Sequence, residues 1–129
     1  MNRITQEDIE LFSDLRLFNR YQSTATKNAE YPGKDTYLGL VYCALKLNGE
    51  AGELADHIGK AMRDDDLMNH ELTQDRRELI IKEVGDCLWY LAAICNELGI
   101  SFSSAAFINL VKIKDRYDRG VQHGSGDNR

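Results

Sequence analysis

Four carboxylate residues in this chain form two couples with the same spacing. Glu50 and Glu53 stand three residues apart in one stretch, and Glu83 and Asp86 stand three apart in another. In an α-helix, residues three apart lie on one face about one turn apart. If two such helices pack together, the four carboxylates converge and need cations to offset their repulsion. Oxygen-only ligation is typical of hard ions such as Mg²⁺ or Mn²⁺, so the pattern indicates metal-assisted phosphate chemistry.

Both couples border apolar stripes with helical periodicity. The stripe beside Glu50 consists of Leu40, Cys43, Leu47, Leu54, Ile58 and Ala61, and the stripe beside Glu83 consists of Ile80, Val84, Cys87, Leu91 and Cys95. A carboxylate at the edge of a stripe is partly buried and needs a partner. Lys46 shares the face of Glu50, so a structural ion pair stays open beside metal binding.

Three neighbours of the first couple have both functional and structural interpretations. His57 follows Glu53 by four residues and could bind metal or phosphate, although a rim position is the commoner role of such a histidine. Gly49 and Gly52 stand inside the expected helix, where each costs about 1 kcal/mol relative to alanine. That cost predicts close approach of a neighbouring helix or of a ligand.

The sequence predicts an all-α fold in a single domain covering residues 1–129, with a flexible tail at 118–129. Expected helices, in chain order, cover about residues 5–29, 36–63, 73–99 and 101–117. Thr5 and Asp8 form a capping box at the start, and Gly99 is suited to end the third helix. Short connections predict an antiparallel bundle of about four helices, which we expect to be oligomeric. Trp89 points away from its apolar stripe and predicts a subunit interface, or alternatively a platform for base stacking.

Composition excludes several functional classes. A net charge of −5 argues against binding a nucleic-acid polymer, and the longest apolar run is too short to span a bilayer. The three cysteines, Cys43, Cys87 and Cys95, form no CxxC pair, so neither a disulfide framework nor a zinc site is indicated. With no signal or transit peptide at the N-terminus, a reducing cytoplasm is the expected location.

Two other metal chemistries of helical bundles lack their motifs. A ferritin-like di-iron centre needs Glu-x-x-His, but no histidine here has a glutamate three residues before it. A His-Asp phosphohydrolase needs adjacent His and Asp, and the only such neighbours stand in reverse order as Asp56-His57. An oxygen-ligated metal therefore remains.

A second group of residues near the C-terminus could contact phosphate. Asn109, Lys112 and Arg116 share one helical face, where two cations and an amide could hold a phosphate, although a solvated face is the commoner role. The glycines and serine at 124–126 could wrap an anion with their backbone N–H groups, although such tails are more often disordered.

The two couples resemble the motif of the MazG-like all-α nucleoside triphosphate pyrophosphohydrolases, which carry Glu-x-x-Glu on one helix and Glu-x-x-Asp on the next. The resemblance extends to the surrounding segments YLGLVYCALKLNGEAGELAD and KEVGDCLWYLAAICNELGIS, and covers roughly residues 21–129. It is strongest for a compact branch found in phages and bacteria. One departure is Gly49, where many members carry glutamate.

This resemblance implies Mg²⁺-dependent hydrolysis, with Mn²⁺ as a second option, of (deoxy)nucleoside triphosphates to monophosphate and pyrophosphate, serving nucleotide-pool house-cleaning. Glu50, Glu53, Glu83 and Asp86 would bind the metal, and Glu50 or Glu53 would orient or deprotonate the attacking water. The implied substrate contacts are Lys46, Asn109, Lys112, Arg116 and Arg129. Members assemble as homodimers or homotetramers. Alternatives are a hydrolase directed at dUTP or nucleoside diphosphates on the same scaffold, or a helical module that binds nucleotide or metal without turnover.

Overall fold

The computed structural model describes residues 3–11 and 16–126, and all of their regular structure is helical. The helices are α1 (Gln6–Leu11), α2 (Arg16–Ala25), α3 (Tyr37–Asp64), α4 (Gln74–Glu97) and α5 (Phe102–Arg119). The all-α prediction is confirmed. The expected first helix corresponds to two described helices, α1 and α2, on either side of residues 12–15. The expected capping box is present, since the Thr5 hydroxyl accepts from the Asp8 N–H and the Asp8 carboxylate accepts from the Thr5 N–H.

The two long helices, α3 and α4, pack against each other as an antiparallel pair. Contacts between them join Lys46 to Tyr90 and Asp65 to Arg76, so residue numbers increase in opposite directions along the two helices. Arg76 donates two hydrogen bonds to the Asp65 carboxylate, at 2.8 and 3.4 Å, across the loop between the helices. This pair positions both carboxylate couples.

The facing positions of α3 and α4 follow the alternating three- and four-residue spacing of a coiled coil. We call this set the seam: Leu40, Cys43, Leu47, Glu50, Leu54, His57 and Ala61 on α3, and Ile80, Glu83, Cys87, Tyr90, Ile94 and Glu97 on α4. Each of these residues is buried or partly buried, whereas most of their neighbours in sequence are exposed. Two of the four carboxylates, Glu50 and Glu83, therefore lie within the seam rather than beside it.

The last helix, α5, does not continue the antiparallel pattern. Gly99 adopts a left-handed backbone with φ of 65°, the Ser101 side chain accepts from the Ser104 N–H, and α5 leaves α4 at 102°. Within the described residues it contacts α1, α2 and α4 but not α3. The described chain is thus an antiparallel pair of helices with α2 and α5 packed against α4, and α5 is not antiparallel to α4. No helix among the described residues is by itself long and apolar enough to span a membrane, although the bent pair α4 and α5 meets that test jointly.

Gln22 joins α2 to the corner between α4 and α5. Its side chain is 7% exposed, and its amide N–H groups donate to the Asn96 side chain at 2.8 Å and the Ile100 carbonyl at 3.1 Å. Its carbonyl oxygen accepts from the Phe102 N–H at 2.7 Å. That N–H belongs to the first turn of α5, where helical partners are lacking. Gln22 therefore satisfies backbone groups that the sharp corner would leave unpaired.

We expect Gln22→Leu to lower the free energy of unfolding by about 3 kcal/mol, because it leaves a partly buried carbonyl and a buried N–H without partners. Urea unfolding followed by circular dichroism measures this loss. The matched control is Gln74→Leu, since Gln74 makes one exposed hydrogen bond to Glu78; its effect should stay within about 0.5 kcal/mol. Equal stability of the two variants would contradict the role of Gln22.

Candidate metal centre

Three of the four predicted carboxylates converge in the structure. Glu50, Glu83 and Asp86 each offer an oxygen within 4.8 Å of the others. The side chains of Glu50 and Glu83 are only 14% and 12% exposed, and Asp86 lies at the open edge of the seam. Oxygens around one Mg²⁺ ion lie about 2.1 Å from it, hence at most about 4.2 Å apart. Small side-chain rotations would bring these three onto a single ion, so this donor set fits a hard divalent cation.

Glu53, the fourth predicted ligand, lies outside this cluster. It is exposed and stands one turn after Glu50, on the side of α3 that turns out of the seam. Its roles in metal binding and in catalysis stay predictions.

Lys46 supplies one positive charge to the cluster. Its ammonium nitrogen lies 3.7 Å from Glu50 Oε1 and 6.0 Å from the centre of the Tyr90 ring. The ion pair that the sequence offered as an alternative to metal binding is therefore present. One lysine does not balance three carboxylates, so the cluster keeps a negative charge that a divalent cation would offset.

The negative charge of the carboxylate cluster affects the pKa of the neighbouring Cys87 thiol. Burial raises the pKa of Cys87 above its usual value, and the charges of Glu50, Glu83 and Asp86 raise it further. The converging ligand atoms belong to Glu50, Glu83 and Asp86, and the Cys87 sulfur is not among them. The donors in this part of the seam are therefore oxygens, as hard cations prefer.

His57 lies in the seam and not on the exposed rim, which was its commoner expected role. Its Nε2 atom lies 3.5 Å from Glu83 Oε1 across the helical pair, and its side chain is 18% exposed. His57 Nδ1 and Glu83 Oε2 are both buried without a hydrogen-bond partner among the described residues. Sequence spacing relates His57 to Glu53 on α3, but its structural neighbour is Glu83 on α4.

An open cavity of about 390 Å³ adjoins the carboxylates and is lined by Glu50, Asp86, Trp89 and Tyr90. The Trp89 indole N–H donates to the Ala25 carbonyl at 2.9 Å, and its ring packs edge-on against Tyr31 and Tyr90. Contacts within the chain therefore hold Trp89 in place, so its packing does not depend on the predicted subunit interface.

A second cavity, of about 280 Å³, had no signal in the sequence. It is lined by Leu17, Phe18, Tyr21, Leu88 and Phe102, which come from three helices. Burial raises the pKa of Tyr21, and the charge of Asp86, which lines the first cavity, raises it further. Nothing in the spacing of these residues predicts that they meet.

The predicted phosphate contacts on α5 stay predictions. Asn109 is exposed, whereas Lys112 and Arg116 are partly buried, and α5 makes no contact with α3 within the described residues. Arg129 lies outside the described residues, so its predicted contact stays a prediction.

Gly49 and Gly52, the two helical glycines next to Glu50 and Glu53, face open space. A Cβ atom built at Gly49 or Gly52 would have no neighbouring heavy atom within 4 Å. No helix described in this chain approaches them, contrary to the expectation of close helix packing. This side of α3 is open to a ligand or to another molecule.

Comparison with known proteins agrees with this geometry. Residues 42–121 match the family described as the MazG nucleotide pyrophosphohydrolase domain, a span that includes all four carboxylates. The chain is 43% identical over 112 residues to the Gene 37 protein of Mycobacterium phage L5, covering 84% of this chain and 96% of that protein. No solved structure was found to match the chain. With the family match spanning more than half its length, the chain belongs to the MazG nucleotide pyrophosphohydrolase family.

Proposed function

We propose that this protein hydrolyses (deoxy)nucleoside triphosphates to monophosphate and pyrophosphate with the help of Mg²⁺ or Mn²⁺. The observation that carries the proposal is the convergence of Glu50, Glu83 and Asp86 in a chain of the MazG nucleotide pyrophosphohydrolase family. Hydrolysis that clears unwanted nucleotides from a cytoplasmic pool is the role we infer for it.

Three residues would hold the cation in this proposal: Glu50, Glu83 and Asp86. A bound divalent cation neutralises triphosphate charge, polarises phosphoryl oxygens and lowers the pKa of a coordinated water. Glu53 is exposed one turn from Glu50 and lies outside the cluster. Its carboxylate remains available to orient the attacking water or to accept its proton, and so it is a better candidate base than Glu50.

The cavity beside the carboxylates suggests where the nucleotide base lies. Trp89 and Tyr90 line the same space as Glu50 and Asp86, and the indole ring is held by its hydrogen bond to Ala25. Base stacking on an aromatic ring contributes about 1–3 kcal/mol and tolerates different bases. We therefore favour the stacking role of Trp89 over the interface role, with Lys46 near the phosphates.

We infer homo-oligomeric assembly from the apolar surface that one chain leaves exposed. The accessible area is 9276 Å², whereas a compact monomer of this size exposes roughly 6,900 Å². On α4, an outer apolar stripe of Ile81, Val84, Leu88 and Leu91 repeats at three- and four-residue spacing, and each member is at least 36% exposed. Such a stripe is suited to pack against a second copy. Assembly could also bring Asn109, Lys112 and Arg116 of one copy to the phosphates bound by another.

We expect Val84→Lys to convert the assembled protein to monomers, because a charge at the centre of the outer apolar stripe would be buried without a partner. Analytical ultracentrifugation measures the mass. Met68→Lys is the matched control, since Met68 is an equally apolar, 76% exposed residue in the loop between α3 and α4. The assembly proposal fails if the wild type is monomeric, or if Val84→Lys sediments as the wild type does.

The proposed reaction is tested by measuring pyrophosphate and orthophosphate release over a panel of nucleotides, with and without Mg²⁺. Pyrophosphate from triphosphates supports the proposal. Activity confined to dUTP or to nucleoside diphosphates, the latter releasing orthophosphate, supports the first alternative. Nucleotide binding without turnover of any substrate identifies a binding module and overturns the enzymatic proposal.

A further inference from the structure

His57 and Glu83 form a contact that links the two helices at the proposed metal site. Their Nε2 and Oε1 atoms are 3.5 Å apart, and both side chains are more than four-fifths buried. His57 belongs to α3 and Glu83 to α4, so the contact depends on the register of the antiparallel pair. The carboxylate cluster includes Glu83 but not His57.

The contact occupies one oxygen of Glu83 and leaves the other without a partner. Glu83 Oε2 is buried and accepts no hydrogen bond among the described residues. A buried carboxylate oxygen in that state is costly unless a donor or a cation reaches it. With Oε1 directed at the imidazole, Oε2 is the oxygen that a cation would satisfy.

We infer that His57 is a positioning residue that holds Glu83 in the orientation required for metal binding. The inference rests on the metal site of the proposed function. The His57 imidazole, with Nε2 3.5 Å from Oε1, restricts rotation of the Glu83 side chain and does not itself belong to the carboxylate cluster. Partners of this kind behind metal ligands typically contribute 10–100-fold to metal affinity.

The test is a Mn²⁺ titration of the substrate-free protein, followed by the electron paramagnetic resonance signal of free Mn²⁺. His57→Leu retains apolar volume but removes the donor, and His57→Ala removes both. We expect each to raise the Kd for Mn²⁺ about tenfold or more. His57→Gln, whose amide N–H can occupy the place of Nε2, should stay within about threefold of the wild type. His70→Ala is the matched control, since His70 is exposed and pairs with Asp66 in the loop.

Several outcomes would overturn the inference, and they separate it from the proposed function. If the wild type binds Mn²⁺ and His57→Leu and His57→Ala bind it equally well, His57 has no part in the site although the site itself stands. A lower melting temperature in either variant with an unchanged Kd overturns the inference in the same way, because His57 then has a purely structural role. If His57→Gln binds as weakly as His57→Leu, the imidazole itself is a ligand rather than a positioning group. If the wild type binds no Mn²⁺, both the site and the inference fail.

Discussion

Asp86→Asn should lower kcat/KM for the best nucleotide by on the order of 100-fold or more while leaving the helical content unchanged. The amide keeps the shape of the side chain but loses the anionic oxygen that a hard cation requires. Contacts that merely orient a ligand cost 10–100-fold when removed, so loss of a ligand itself should cost at least as much. Asp86 is exposed at the edge of the seam, so the substitution creates no buried cavity.

The matched control for this loss is Asp56→Asn. Asp56 is an exposed carboxylate on α3 that pairs with Lys60 at 2.5 Å and lies outside the cluster. Its substitution should leave kcat/KM within about twofold of the wild type, a change typical of a surface site with no other role. Comparable activity of Asp86→Asn and Asp56→Asn at limiting Mg²⁺ would contradict the metal-site assignment. If Glu53 is the base, Glu53→Gln should reduce kcat in the same hydrolysis assay. A Mn²⁺ titration of that variant should give the wild-type Kd.

Mg²⁺ or Mn²⁺ should raise the melting temperature of the wild type by on the order of 10 °C when the metal is present at about 100 times its Kd. A ligand bound only to the folded state adds about 2.7 kcal/mol under those conditions, and each kcal/mol shifts the melting temperature of a chain this size by about 4 °C. Glu50, Glu83 and Asp86 meet only when α3 and α4 pack, so the unfolded chain offers no comparable site. Differential scanning calorimetry with and without EDTA measures the shift.

The matched variant for the melting experiment is Glu83→Gln. Without metal it should melt at or above the wild-type temperature, because one of three crowded negative charges is gone. With metal it should show little further increase. A wild-type melting temperature that does not respond to millimolar Mg²⁺ or Mn²⁺ would contradict the site, as would an equal metal response in Glu83→Gln.

Local sequence signals determined the class of fold and most helix boundaries. Thr73 and Gly99 bracket α4 as expected, because a side-chain cap and a left-handed glycine act within one turn of the helix end. The apolar periodicity identified the face of α3 that packs on α4, but it was wrong for α4, where Val84 and Leu91 are exposed and Glu83 and Tyr90 lie in the seam.

Which carboxylates converge was decided by the tertiary structure. Helical periodicity placed Glu50 and Glu53 on one face of α3, but the register of α3 against α4 determines which of them reaches Glu83 and Asp86. Glu50 occupies a seam position, whereas Glu53 stands beside the seam residue Leu54 and is exposed. The way α3 and α4 pack depends on contacts between the two helices, such as the pair of Asp65 and Arg76, and no single-helix pattern encodes it. For the same reason the contact between His57 and Glu83 had no signal in the sequence.

The direction of α5 was likewise a property of the assembled chain. Gly99 and Ser101 predicted that a helix ends and another begins, but local turn signals do not set the angle between them. Gln22, 80 residues earlier than Phe102, pairs with the first turn of α5 and with the Ile100 carbonyl just before it. The short connection between α4 and α5 predicted that the two helices are antiparallel. The long-range hydrogen bonds of Gln22 instead stabilise a sharp corner between them. Local sequence could specify where helices begin and end, because capping and periodicity act within a few residues. The register and the angle between two helices depend instead on contacts between residues that are distant in the chain.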